Sequence, residues 1–325
     1  MPHSPTRRTL LGLAVGLGLA GLCGAAEALR AGWGDLLAVG LILVVGFPHG
    51  AADLGTLRDL RLGRGKAARL GLYLAAMGAT AALWLLAPAL GLTAFVATAV
   101  LHFGQDQAAA LGPAGADLTR GQQWGYALAW GAFAVGAPLA WHPAEFAPVT
   151  AAMLGEVPDP TALRAAAAVA TAAGVLALGF AGWRLARAAT GSAGRRRWGA
   201  EVALLAALAA AYVALPGLWG FAAFFVGVHS GTSIANQLRW RGRSVDRQGV
   251  GAFLREGAPY AALAVLGVAG VAVADVGLEL TPAWLATFFV LVSVVTTPHA
   301  AVVFLAAERH AGAEEATARI PPARV

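Results

Sequence analysis

The chain has 325 residues, of which 58% are apolar and only 12% charged, with a mean hydropathy of +0.68. That balance excludes a water-soluble globule of this length and defines a polytopic membrane protein. Its net charge of +6 reads as membrane orientation and contact with anionic lipid, with no nucleic-acid partner. The single cysteine, Cys23, excludes both a disulfide framework and a thiolate metal site.

Apolar runs of about 17 to 25 residues, enough to carry a helix across roughly 30 Å of hydrocarbon, recur ten times along the chain. They lie near residues 9–29, 35–57, 70–90, 92–111, 123–141, 162–186, 199–217, 219–238, 258–276 and 283–306. The start, Thr6-Arg7-Arg8-Thr9-Leu10-Leu11, has some look of a twin-arginine export signal. With no soluble domain downstream, a plain first span with basic flanks is the preferred reading. With ten spans and the N-terminus inside, every Lys and Arg except Arg30 and Arg164 falls on the cytoplasmic side, as the positive-inside rule requires. The largest external loop, His142 to Pro160, carries Glu145, Glu156 and Asp159 and no Lys or Arg. The expected fold is therefore all-α: one transmembrane helical bundle over residues 1–307, with both termini cytoplasmic and a flexible tail over 308–325. The expected location is the cell inner membrane, as a multi-pass protein.

Within that bundle His49, Asp53, His102, Asp106, His229 and His299 fall inside apolar spans, where ionisable groups are costly and call for a shared reason. The four histidines occupy the second, fourth, eighth and tenth spans, which all run in the same direction. Counted from the outer end they lie in a layer about 10 Å thick, from mid-membrane toward the cytoplasm. His49 with Asp53, and His102 with Asp106, are spaced i and i+4, so each carboxylate shares a helix face with its histidine. That is the place of a group that fixes a ligating imidazole from behind. Asp53 has a plainer alternative in Arg58. On the eighth span His229, Thr232, Ser233, Asn236 and Gln237 form a polar stripe. Pro48 and Pro298 each precede a histidine, where proline frees a carbonyl one turn back and kinks the helix. His3, His142 and His310 lie outside the spans and read as solvated or interfacial. An intramembrane histidine taken alone is more often a hydrogen-bond partner; four at one depth read as ligands of one metal. A proton pathway or a transporter site using the same layer is the competing reading. All-imidazole ligation suits iron, copper or zinc.

Four segments carry a resemblance: Phe47-Pro48-His49-Gly50-Ala51-Ala52-Asp53, Leu101-His102-Phe103-Gly104-Gln105-Asp106, Val228-His229-Ser230 and Thr297-Pro298-His299. Their order and span placement resemble those of the Brp/Blh family of membrane β-carotene 15,15′-dioxygenases. The resemblance covers the chain from about Gly46 to Phe304. It implies an iron(II)-dependent enzyme that cleaves the central double bond of β-carotene with O2 to give retinal, with His49, His102 and His229 as iron ligands. Where the family has a second histidine one helical turn after His229, this chain has Ser233. Either His299 then completes a four-histidine shell, with Asp53, Asp106 and Ser233 around it, or the site runs with three. An apolar carotenoid or lipid substrate would enter sideways from the bilayer, past aromatics drawn from Trp84, Trp130, Phe224, Phe225, Phe288 and Phe289. No residue beyond the metal shell is assigned a catalytic role.

Overall fold

In hydrocarbon a chain satisfies its own backbone only as helix or closed barrel. Helix is what this sequence forms, joined by short turns, over residues 33–62, 64–276 and 281–318, the part described by the computed structural model; among these residues there is no strand. The first described span is broken. Helix α1 (Trp33–Leu41) passes through a π turn, Ile42–Gly46, and a 3-10 turn, Phe47–His49, before α2 (Asp53–Asp59). Then come α3 (Gly65–Leu86), α4 (Pro88–Ala110), α5 (Arg120–Trp141), α6 (Pro143–Leu154), α7 (Pro160–Arg187) and α8 (Ala193–Ala214). A second broken span follows: α9 (Gly217–Phe224), a π turn, Phe225–His229, and α10 (Ser230–Trp240). Two long helices, α11 (Arg247–Val276) and α12 (Pro282–Ala318), complete the described chain.

Eight of the described helical stretches are long and apolar enough to cross a membrane. Helix α5 matches them in length at 22 residues, but Arg120, Gln122 and Gln123 make its first turns polar. It is enclosed by α4 and α7. Each predicted span from 35–57 onward coincides with one of these helices. The run 9–29, with Cys23 and the twin-arginine reading, lies outside the described residues.

Two stretches differ from expectation. The external loop holds α6, which is too short at 12 residues to register as a span and packs on α12 instead. The last helix continues past Glu308 to Ala318, where a flexible tail was expected. Its Ala- and Glu-rich sequence, Ala306-Ala307-Glu308-Arg309, then Ala313-Glu314-Glu315-Ala316, is strongly helix-forming, which accounts for the extension.

Local chemistry sets the helix starts. Thr119 and Gln122 form a reciprocal capping box at α5, with Gln122 N to Thr119 Oγ1 at 3.3 Å and Thr119 N to Gln122 Oε1 at 3.0 Å. Asp159 caps α7 ahead of Pro160, and Ser192 caps α8.

Polar side chains then tie the helix ends together in two separate layers. At one end, the fully buried side chain of Arg241 donates to Asp59 Oδ2 at 2.8 Å and Glu256 Oε2 at 2.6 Å; Arg58 and Arg243 join the same two acids. Arg184 pairs with Asp117, and Arg120 with Glu308. At the other end, His142 Nε2 meets the Tyr212 carbonyl at 2.6 Å, and the Gly217 amide donates to Glu145 at 2.7 Å. Thus His142, expected to be solvated or interfacial, is part of a helix-end lock. The arginine-rich turns sit together, as alternating spans demand. Arg241→Met should lower stability by about 3 kcal/mol, because it removes the buried partner of two carboxylates. Denaturant unfolding in detergent, read by tryptophan fluorescence, measures this.

Candidate metal centre

The two π turns face each other and bring the site together. Each inserts one extra residue into its helix, a device that recurs at functional sites because it turns a side chain and frees a carbonyl. A Cβ on Gly46 would stand 2.4 Å from the Phe225 ring, so only glycine lets the two turns touch. Ser230 Oγ donates at 2.7 Å to the Phe225 carbonyl, which also accepts the Ser230 amide of the π turn. Pro48 leads into the 3-10 turn that carries His49. On α12, Pro298 cannot donate to the carbonyl one turn back, while Thr297 Oγ1 bonds the Ser293 carbonyl at 2.9 Å.

His49, His102, His229 and His299, from four different spans, meet at one buried point; none is more than 5% exposed. Their rings form a four-sided cluster. Neighbouring pairs 49/229, 49/299, 102/229 and 102/299 have centroids 4.7 to 4.8 Å apart and stand nearly perpendicular. His49 and His102 face each other across it, parallel at 6.4 Å. One nitrogen from each of His49, His102 and His299 lies within 4.8 Å of the others, as do ligand atoms of His102, Asp106 and His229.

Hydrogen-bond partners fix the tautomers. His49 Nδ1 donates to the Gly46 carbonyl, and His299 Nδ1 to Asp53 Oδ1 at 2.9 Å. In their neutral form both rings therefore present Nε2 as a bare lone pair, and His299 Nε2 has no protein partner. Neither nitrogen of His102 has one. His49 Nε2 faces His229 Nε2 at 3.2 Å, while His229 Nδ1 stands 3.6 Å from Asp106 Oδ2, beyond hydrogen-bonding range.

A neutral His229 cannot satisfy this arrangement. A proton on Nε2 sets a lone pair against the Asp106 carboxylate; a proton on Nδ1 sets two Nε2 lone pairs face to face. A cation among the Nε2 atoms removes the conflict. The 3.2 Å separation also suits adjacent ligands of one ion, about 3 Å apart for bonds near 2.1 Å at a right angle. The residues present fit a metal.

The carboxylates do not serve the histidines that precede them. Asp53 holds His299, not His49, because the turn at Gly50–Ala52 interrupts the helix and breaks the i, i+4 phase. Nor does it pair with Arg58, which goes to Asp59 and Glu256. Asp106 makes no hydrogen bond to His102; Asn236 Nδ2 contacts its Oδ1 at 3.2 Å and its carbonyl at 2.8 Å. Each acid of the N-terminal half thus stands behind a histidine of the C-terminal half.

Ser233 is fully buried beside Asp106 and receives Gln237 Nε2 at 3.4 Å. Gln237 also bonds the His49 carbonyl at 2.9 Å and accepts from Thr56 Oγ1 at 3.1 Å. The inward stripe of this span is His229, Ser230, Ser233, Asn236 and Gln237, with Thr232 only half-buried.

Of the aromatics named from sequence, Phe225 packs on His49 and His229 at 5.4 Å, and Phe224 lies 6.0 Å from His229. Phe288 and Phe289 continue the row through Phe221. Trp130 stands one layer out, on Phe224. Trp84 lies apart, bonded to Ser293 on α12. Phe103 was not foreseen, although its ring is 4.5 Å from His229; its place directly after His102 was the available signal.

Fold and site together define a polytopic helical membrane protein with a buried four-histidine centre. A family model for β-carotene 15,15′-dioxygenase matches residues 40–306, and the chain belongs to that family. The membership makes it a carotenoid-dioxygenase type of membrane enzyme and implies a metal cofactor. No curated protein and no solved structure matches the chain.

Proposed function

We propose that the chain is an inner-membrane, iron(II)-dependent dioxygenase that splits the central double bond of β-carotene, or of a related carotenoid, to give retinal. The observation that carries this reading is the convergence of four buried imidazoles with inward lone pairs, in a site that a neutral His229 beside the Asp106 carboxylate does not satisfy. His49, His102, His229 and His299 would hold the metal, with Asp53 and Asp106 balancing its charge. Iron(II) bound there supplies the spin and coordination chemistry that make O2 reactive toward an alkene.

The residues do the remainder. Backbone and carboxylate acceptors orient His49 and His299, so little reorganisation is required on binding the metal. Phe103 and Phe225 cover the rings and exclude water, and their faces suit a flat polyene. The reaction balances without an external reductant: one C=C and one O=O bond are broken, and two C=O bonds form.

Expression in a bacterium that accumulates β-carotene should convert carotene to retinal in aerated cells and leave it intact without oxygen. Chromatography of membrane extracts reads both. Unchanged carotene in aerated membranes that hold the folded, metal-loaded protein would overturn the proposal.

A further inference from the structure

Helix α3 lies on the rim of the bundle. Among its described side chains only Trp84 is buried, and most of the rest face outward. Two polar contacts reach inward from it: Trp84 Nε1 donates to Ser293 Oγ at 2.6 Å, and Tyr73 Oη donates to Asp53 Oδ2 at 2.9 Å. Residues 73 and 84 are three helical turns apart, so both project from one face. The Tyr73 contact has no counterpart in the sequence motifs. It continues inward, since Asp53 Oδ1 accepts from His299 Nδ1 at 2.9 Å.

Asp53 is therefore held at both oxygens in a buried position: the His299 Nδ1–H lies between them, 2.9 Å from Oδ1 and 3.1 Å from Oδ2, and the Tyr73 phenol donates to Oδ2. A carboxylate held by one N–H alone, even one shared between its two oxygens, can still rotate about its Cβ–Cγ bond and leave the plane of the imidazole. A second donor from a different helix removes that freedom.

We infer that Tyr73 is a positioning residue for His299: it locks the Asp53 carboxylate, which in turn fixes the tautomer and ring plane of the histidine. This rests on the reading of the four histidines as a metal site. A partner at this distance from the metal is worth about ten-fold in retention, the lower end of what outer partners of metal ligands contribute.

Tyr73→Phe keeps the ring and removes the hydroxyl. The protein, purified in detergent and loaded with iron(II), should bind iron to the wild-type level but release it to a ferrous chelator about ten-fold faster. The electron paramagnetic resonance spectrum of its ferrous nitrosyl adduct should also change in rhombicity. Trp84→Phe cuts the other tether of the same helix and should leave release and spectrum as in the wild type. Wild-type release and spectrum in Tyr73→Phe would overturn the inference while leaving the metal reading intact. Equal acceleration in both variants would show mere docking of α3 and overturn it too. A wild-type protein that binds no iron would remove the metal reading and this inference together.

Discussion

Replacing His299 by alanine is expected to cost the protein its metal and its carotenoid cleavage, and to destabilise the metal-free fold by about 3 kcal/mol. The two losses have different causes. The metal loses one of four rings, a larger change than the roughly 10- to 100-fold effects of outer partners, so metal analysis of the purified variant should find little bound. The fold loses the imidazole that answers Asp53, whose carboxylate is only 2% exposed and keeps Tyr73 alone as donor. A buried charge stripped of its partner is among the most destabilising changes available to a protein. His102→Ala separates the effects. Neither nitrogen of His102 has a protein partner, so its removal should abolish metal binding with a smaller loss of stability. Denaturant unfolding of both metal-free variants makes the comparison. Full metal retention in His299→Ala would remove His299 from the ligand set, and equal destabilisation would argue against the Asp53–His299 pair.

Gly104→Ala should be as damaging, although it adds one methyl group and touches no histidine. A Cβ at position 104 would stand 1.9 Å from the Ala127 carbonyl oxygen, and one at Gly131 would stand 1.9 Å from the Val100 oxygen. Helices α4 and α5 therefore cross backbone against backbone, the close approach that small residues permit in membranes. The obstacle is main chain, so no side-chain rotation relieves it and the helices must separate. The expected cost is about 3 kcal/mol or more, at the upper end for overpacking. Because His102 and Asp106 flank Gly104 on the same helix, the separation should also carry them out of the cluster and lower metal content. Gly125→Ala on α5 is the control: nothing lies within 4 Å of its Cβ, and helix propensity favours alanine by up to about 1 kcal/mol. A Gly104→Ala protein with wild-type stability and metal would refute the close crossing.

The histidines of the centre were readable from the chain, because lipid penalises ionisable groups and four histidines at one depth stand out. How they pair was not. The i, i+4 rule presumes an unbroken helix, and Gly50–Ala52 breaks it between His49 and Asp53. On α4 the helix is continuous, yet Asp106 meets Asn236 of α10, which the rule takes no account of. Tyr73 was invisible for a further reason: a lone tyrosine on a lipid-facing helix looks like an interfacial anchor, and its partner is 20 residues away on another helix.

By itself, then, the sequence determined the medium, the helical class, the alternation of spans and the identity of the four clustered histidines. Each of these follows from composition or from spacing along one segment, where hydration energy and helix period leave few choices. Only the tertiary structure decided that Asp53 serves His299, that Ser233 sits beside Asp106, and that α4 and α5 touch through Gly104 and Gly131. Those outcomes depend on how deeply separate helices approach and how they are rotated against one another. Such quantities arise from packing between distant segments, and no local pattern encodes them.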